Sequence, residues 1–167
     1  TEKLLDELVT LHPKYIDLTL DRLKVLLKKL DDPQNCLPKT IHIAGTNGKG
    51  STLSMIRAGL ESSGRSVHTY TSPHLIRFNE RIRLAGKLIT ETELSQLLDE
   101  CYEANAGKEI TYFEITTCAA MLAMSRKNAD YTLLEVGLGG RLDATNVVDK
   151  PALSVITPIS VDHEQFL

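Results

Sequence analysis

The hydrophobic positions of this chain change period several times, and each change marks an element. Leu20, Leu23, Leu26, Leu27 and Leu30 form one stripe at helical spacing, which Asp31-Asp32-Pro33 ends. Residues 40–44 read as a short β-rich run that stops at Gly45. After a glycine-rich turn, Leu53, Ile56 and Leu60 predict a helix closed by Gly64, and residues 66–71 a second strand. Residues 81–84 and 87–89 flank Ala85-Gly86, the pattern of a small hairpin. Thr90 and Glu93 have capping-box spacing, and Leu94, Leu97, Leu98 and Cys101 follow at i, i+3, i+4 and i+7. Ile115, Cys118, Ala119 and Leu122 repeat that spacing in a further helix. Residues 131–136 and 152–157 are continuous apolar runs of strand length, as strands buried on both faces of a parallel sheet require. The alternation of strand and helix predicts an α/β fold with a mostly parallel sheet flanked by helices. No internal repeat, low-complexity tract or linker divides it.

Composition narrows the partners. The chain has 167 residues, of which 42% are hydrophobic and 25% charged, which suits one globular domain with a real core. Lys and Arg total 19 against 22 Asp and Glu, a formal net charge of -3. That balance gives no electrostatic reason to expect nucleic acid or an anionic membrane, so phosphate binding must come from a local site. No apolar run approaches the roughly 18 residues of a membrane helix, and the first eleven residues mix acids with leucines, unlike a signal peptide. The three cysteines, Cys36, Cys101 and Cys118, fit neither a metal pattern nor a disulfide framework. Cys101 and Cys118 fall in helical patterns as small core residues, and a reducing, cytoplasmic setting is expected. Thr1 is not an initiator methionine, and Leu167 follows Phe166 with no helix stop; the chain therefore reads as a piece of something longer.

The candidate chemistry begins at Gly45-Thr46-Asn47-Gly48-Lys49-Gly50-Ser51, between a predicted strand and a predicted helix. That is where a phosphate loop belongs. Glycines let backbone N–H groups converge on a phosphate, the helix adds its positive end, Lys49 a full charge and Ser51 a hydroxyl. The match to G-x-x-x-x-G-K-[ST] is a shortened variant, with Ile43 in place of the first glycine and Gly50 in the usual Ser/Thr slot. A flexible Gly/Asn turn with a solvated lysine is the plainer alternative; three glycines and a lysine between strand and helix favour the phosphate loop. Glu135 ends the 131–136 run, and strand C-termini line the ligand crevice of open α/β sheets. A carboxylate there needs a partner, either a buried base or a metal. Ser72 closes the 66–71 strand with a neutral oxygen.

Residues 44–52, Ala-Gly-Thr-Asn-Gly-Lys-Gly-Ser-Thr, resemble the nucleotide loop of folylpolyglutamate synthases, relatives of the Mur peptidoglycan ligases. Tyr70-Thr71-Ser72-Pro73-His74-Leu75, Asn79-Glu80-Arg81-Ile82, Thr111-Tyr112-Phe113-Glu114, the stretch from Leu134-Glu135 to Thr145-Asn146 and Asp162-His163 follow in the family's order. The resemblance implies a P-loop ATPase domain, here residues 1–167 and incomplete, followed in the family by a smaller domain that carries the glutamate site. It implies an ATP- and Mg2+-dependent ligase that joins L-glutamate to dihydropteroate or to folylpolyglutamates through an acyl phosphate, acting as a monomer. Ser72, Glu135 and His163 would surround the metal, with Lys49, Glu135 and His163 catalytic and residues 45–51 holding ATP. Leu18, Thr19, Leu20 and Asp21, Thr111, Tyr112, Phe113 and Glu114, and Arg141, Leu142 and Asp143 would meet the pterin substrate. Phe113 suits stacking on a flat ring and Arg141 a paired contact to a carboxylate or phosphate. His163 enters only through the resemblance, since imidazole is a soft ligand for magnesium. Leu18-Thr19-Leu20-Asp21 departs from the Leu-Gly-Leu-Glu of some relatives, and Leu18 and Leu20 taken alone read as core. On this reading the chain by itself has no ligase turnover. The rival readings are a Mur-type ligase of peptidoglycan precursors, a folylpolyglutamate synthase without dihydrofolate synthase activity, and a catalytically silent nucleotide-binding module. No Asn-Lys-x-Asp motif or kinase catalytic loop supports a GTPase or kinase.

Overall fold

The structure, a computed structural model, describes residues 19–161. The expectations for Leu18, Asp162 and His163 lie outside the described residues. Helix α1 (Asp21–Lys29) carries Asp21 in its first turn and Lys28 and Lys29 in its last, matching the helix dipole. It stops where Asp31 and Asp32 turn left-handed, at φ 61° and 51°, a conformation that Asp tolerates. A short 3-10 turn, Pro33–Cys36, which the apolar pattern did not indicate, leads into strand β1 (Lys39–Ala44). Helix α2 (Lys49–Ser62) and strand β2 (Val67–Tyr70) follow. Strands β3 (Ile82–Leu84) and β4 (Lys87–Leu88) form the expected hairpin. Its tip residues Ala85 and Gly86 both have positive φ, as a tight hairpin turn of this type demands.

Helix α3 (Glu91–Asn105) starts at the predicted capping box, with Thr90 accepting from the Glu93 N–H and Glu93 from the Thr90 N–H. Helix α4 (Tyr112–Ser125) starts at a second box of the same kind, built by Thr111 and Glu114. Every residue from Glu114 to Met124 is buried, so the four-residue stripe read from sequence was too narrow. The α4 helix lies between the sheet and helices α1 and α3, and has no solvent face to keep polar. Strands β5 (Tyr131–Glu135) and β6 (Leu153–Ile156) are the last two elements among the described residues.

The six strands are ordered β4-β3-β2-β5-β1-β6, with β2, β5, β1 and β6 parallel and the hairpin antiparallel. Two cores flank the sheet. Leu134 and Tyr70 pack with α1, α3 and α4, with Cys101 and Cys118 buried among them. Ile41, Ile43, Val67 and Leu133 pack with Leu53, Ile56 and Leu60 of α2 on the other face. Side chains alternate along a strand, so Glu135 points to the α2 face with Leu133. The expectation that the 152–157 run is buried on both faces is corrected: Leu153 and Ile156 are 52% and 70% exposed. Among the described residues β6 is an edge strand that pairs only with β1.

Candidate functional site

The turn after β1 enters α2 through Gly48, whose φ of 83° only glycine adopts freely. Gly45, at φ 129°, lies so close to Thr157 that a Cβ there would sit inside the Thr157 hydroxyl and 2.7 Å from its carbonyl oxygen. The segment after β6 straps down the front of this loop. Thr46 N–H and Asn47 N–H both donate to the Pro158 carbonyl, at 3.1 and 3.3 Å. The Thr46 hydroxyl donates to the Ser160 carbonyl and accepts from the Ser160 N–H, and the Asn47 amide reaches the Ser160 hydroxyl. Nothing in the local sequence pattern linked Pro158 and Ser160 to the loop, because the contact spans more than a hundred residues. What converges on a phosphate is therefore the first turn of α2, whose amides have no intrahelical partner. Lys49 folds back on the loop, its ammonium donating to the carbonyls of Gly45 and Thr46 at 2.8 and 3.2 Å. Ser51 is exposed beside it.

Glu135 reaches this same turn. A Cβ on Gly50 would lie 3.5 Å from one of its carboxylate oxygens, and the other oxygen accepts the Ser72 N–H at 3.2 Å. Glu135 is buried, which raises its pKa, while the Ser72 N–H and the charge of Lys49 act against that rise. Lys49, Ser72 and Glu135, expected together from sequence, thus share one cleft at the strand C-termini, where open α/β sheets bind ligands. The cleft offers hard oxygen donors from a hydroxyl and a carboxylate that wants a cation, which fits a divalent metal such as Mg2+. Among the described residues no group of three or more His, Cys, Asp or Glu gathers as a metal site, in this cleft or outside it.

The loop leaving β2 borders this cleft. Glu80 gathers the N–H groups of Leu75, Ile76 and Arg77 on its carboxylate, and these bonds hold its pKa low. Arg81 donates to His74 Nδ1 at 2.9 Å and lies over the Phe78 ring, which meets Tyr112 edge-on. His74 is therefore the Nε2–H tautomer, and burial, together with the neighbouring guanidinium, lowers its pKa. Leu75 and Ile76 project outward, 93% and 83% exposed.

The expected substrate residues divide in two. Glu114 is buried, caps α4 through the Thr111 N–H at 2.7 Å and pairs with Arg22 at 3.3 Å. Asp143 is buried with four bonds on its two oxygens: Gly137 and Leu138 N–H on Oδ2, and the N–H and hydroxyl of Thr145 on Oδ1. A carboxylate has about four acceptor positions, so Asp143 is saturated within the protein. Phe113 stacks on Tyr70 with ring centroids 6.2 Å apart, and a Cβ on Gly137 would fall 2.6 Å from its ring. Arg141 and Leu142 are exposed on the turn after β5, and Thr19, Leu20 and Asp21 open the described chain at the start of α1, partly or fully exposed. A cavity of about 380 Å3 between α3, α4 and β3 shares none of these residues.

Residues 43–167 match the model of the Mur ligase middle domain. The Haemophilus influenzae dihydrofolate synthase/folylpolyglutamate synthase is 43% identical over 159 residues, covering 93% of this chain and 35% of its own length. Its Escherichia coli counterpart is 39% identical over 98% of this chain and 38% of its own. Among solved structures, Escherichia coli FolC in complex with DHPP and ADP superposes with a TM-score of 0.93 at 38% identity, covering 99% of this chain and 40% of that one. The bifunctional Yersinia pestis enzyme complexed with AMPPNP and Mn ion gives 0.90 at 40% identity, over 99% of this chain and 40% of that one. The chain thus spans somewhat over a third of the length of the relatives it matches.

Proposed function

This chain belongs to the Mur ligase middle-domain family, and from that premise we propose that the complete protein is an ATP- and Mg2+-dependent ligase. It adds L-glutamate to dihydropteroate, to folylpolyglutamates or to both, through an acyl phosphate. In this reading residues 1–167 belong to its ATP-binding domain. The observation that carries the proposal is the approach of Glu135, with Ser72, to the first turn of α2 beside Lys49. The named relatives, dihydrofolate and folylpolyglutamate synthases with nucleotide complexes among them, support the substrate class.

The chemistry follows from the residues. Phosphoryl transfer needs positioning and neutralised charge more than covalent help. The α2 amides would cradle the triphosphate, with Gly45, Thr46 and Asn47 holding the loop in place against Pro158 and Ser160, and Lys49 would swing from the Gly45 and Thr46 carbonyls to its outer oxygens. Ser72 and Glu135 would hold the cation, with His163 as the further ligand. When bound, the cation supplies charge neutralisation at the transferring group. Of the substrate residues, Arg141, Leu142, Tyr112, Phe113, Thr19, Leu20 and Asp21 would meet the pterin-bearing acid, and Thr111, Glu114 and Asp143 would hold the walls that present them.

The test incubates the complete protein with ATP, Mg2+, dihydropteroate and glutamate, following phosphate release and the new amide by mass spectrometry. Turnover with dihydropteroate and loss of at least a hundredfold in Glu135→Gln are expected, the cost of about 3 kcal/mol of transition-state stabilisation. Turnover with a UDP-linked muropeptide instead would make it a peptidoglycan-precursor ligase. Nucleotide binding without amide formation would make it a silent module.

A further inference from the structure

A polar chain links β1 to the turn after β5 behind the site. His42 lies on β1 on the face opposite Ile41 and Ile43, and its Nε2 is 2.8 Å from the Thr145 hydroxyl. Thr145 in turn bonds Asp143 Oδ1 through both its hydroxyl and its N–H. A carboxylate can only accept, so the Thr145 hydroxyl must donate to Asp143 and has only its lone pairs left for His42. His42 is therefore the donor, as the Nε2–H tautomer. The other oxygen of Asp143 accepts the N–H groups of Gly137 and Leu138, at 3.0 and 2.8 Å, and these residues follow Glu135 by two and three positions. Every bond runs the same way, from imidazole to hydroxyl to carboxylate, with the carboxylate clasping two backbone amides. His42 also sits two residues before Ala44, where β1 hands over to the phosphate loop, and pairs in register with Leu134 next to Glu135.

We propose that His42 is a positioning residue. Acting through Thr145 and Asp143, it fixes the Val136–Leu138 backbone relative to β1, and so holds the Glu135 carboxylate at a set distance from the first turn of α2. The inference rests on the proposed ligase reading for its kinetic test but not for its structural one. The mechanical argument is direct. Glu135 ends β5, and past it the chain loses the sheet ladder, apart from the Val136 N–H to Ile43 carbonyl bond. The turn of Gly137, Leu138, Gly139 and Gly140 is rich in glycine, two of them at positive φ, and has little stiffness of its own. Asp143 supplies that stiffness from inside the turn. His42 orients the one hydroxyl that orients Asp143.

The experiment uses the complete protein with His42→Leu, His42→Gln, Thr145→Val and Thr145→Ser. Cutting a chain of bonds that ends on the buried Asp143 carboxylate and acts on transition-state geometry should lower kcat about tenfold in His42→Leu and Thr145→Val. KM for ATP should move less than about twofold, because the α2 amides are untouched. His42→Gln, which keeps an N–H donor, and Thr145→Ser, which keeps the hydroxyl, should recover most of kcat. The double variant His42→Leu/Thr145→Val should be no worse than Thr145→Val alone, since both cut one chain. A purely packing role for His42 would instead leave Gln as poor as Leu and make the two losses multiply. Amide hydrogen exchange is read on the same folded proteins. Gly137 and Leu138 should exchange about tenfold faster in His42→Leu and Thr145→Val, with the α4 amides unchanged. Should His42→Leu fail to fold, Thr145→Val cuts the chain one bond further on. Wild-type kcat in either variant, or unchanged exchange at Gly137 and Leu138, overturns the inference. A wild type that forms no amide bond disposes of the ligase reading, and the exchange measurement then decides the positioning chain alone.

Discussion

A single methyl group at Gly45 should detach the phosphate loop from its strap. In Gly45→Ala the new Cβ would overlap the Thr157 hydroxyl and lie 2.7 Å from the Thr157 carbonyl oxygen and 3.0 Å from its carbon. The hydroxyl can rotate away, at the loss of its bond to the Ala44 carbonyl, about 1 kcal/mol. The carbonyl cannot, since Thr157 N–H is held on the Ala44 carbonyl at 2.8 Å; overlap with a fixed group costs about 1–3 kcal/mol. A φ of 129°, unsuited to alanine, adds about 1–3 kcal/mol more. The whole is roughly 3–7 kcal/mol against a typical stability of about 5–15 kcal/mol. The chain should yield locally before it unfolds, moving residues 157–160 off the loop, so ADP affinity should fall with stability. Urea unfolding followed by circular dichroism reads the first effect, and calorimetric ADP titration the second. Adding Thr157→Ala removes the hydroxyl overlap but not the carbonyl one, so the double variant should recover less than half of the loss. A Gly45→Ala protein with the parental urea midpoint and ADP affinity, or full rescue by Thr157→Ala, would refute the reasoning.

Glu135→Gln should stabilise the nucleotide-free protein by about 1 kcal/mol while lowering turnover at least a hundredfold. Glu135 has its pKa raised above 4.5, so the folded state holds that proton more tightly than the unfolded chain. The stability it contributes is whole below about pH 4.5 and declines as pH rises through the raised value; the Gln variant should lack that decline in a stability–pH series. His68 gives the opposite sign. Buried, it donates Nε2–H to the Lys127 carbonyl and accepts the Ala85 N–H on Nδ1, and its pKa lies below 6.5. Its contribution is present above about pH 6.5 and lost as pH falls through the lowered value, so His68→Asn should flatten the acid limb in thermal melts. The two capping boxes should differ. Glu114→Ala removes a buried partner facing Arg22 and should cost about 3–5 kcal/mol, whereas Thr90→Ala at the exposed box of α3 should cost about 1 kcal/mol in the same urea assay.

The apolar pattern and the turn signals located every labelled strand and helix among the described residues, although α4 is buried all round and β6 is largely exposed. The 3-10 turns Pro33–Cys36 and Phe78–Arg81 were not legible, since each buries a single residue, Pro33 or Phe78, and so shows no period. The exposure of Leu153 and Ile156 was not legible either, since an apolar run does not say whether a neighbouring layer covers it. Lys49, Ser72 and Glu135 were expected from loop type, strand-end position and family resemblance, and the fold places them near one another. Pro158, Ser160 and His42 were missed: their partners lie about a hundred residues away, and no spacing rule reaches that far. The Thr111-to-Glu114 capping box was visible as spacing, yet its letters were absorbed into a substrate motif.

That last case bears on how the site should be dissected. The residues carrying the resemblance do two physically different jobs. Gly45, Thr111, Glu114, Gly137 and Asp143 have their side chains, or their lack of one, committed to backbone placement. Lys49, Ser51, Ser72, Arg141 and Leu142 keep groups free or exchangeable toward the open side of the sheet. Substituting a member of the first set moves several of the second at once, so its kinetic effect cannot be assigned to a ligand contact without a stability and exchange measurement beside it. Members of the second set can change contact without changing the frame. On the proposed ligase reading, discrimination among acid substrates should therefore reside in an outward-facing position such as Leu142, since the Thr19 hydroxyl holds the Asp21 N–H at the start of α1, while phosphoryl chemistry would stay with the Lys49–Glu135 cleft.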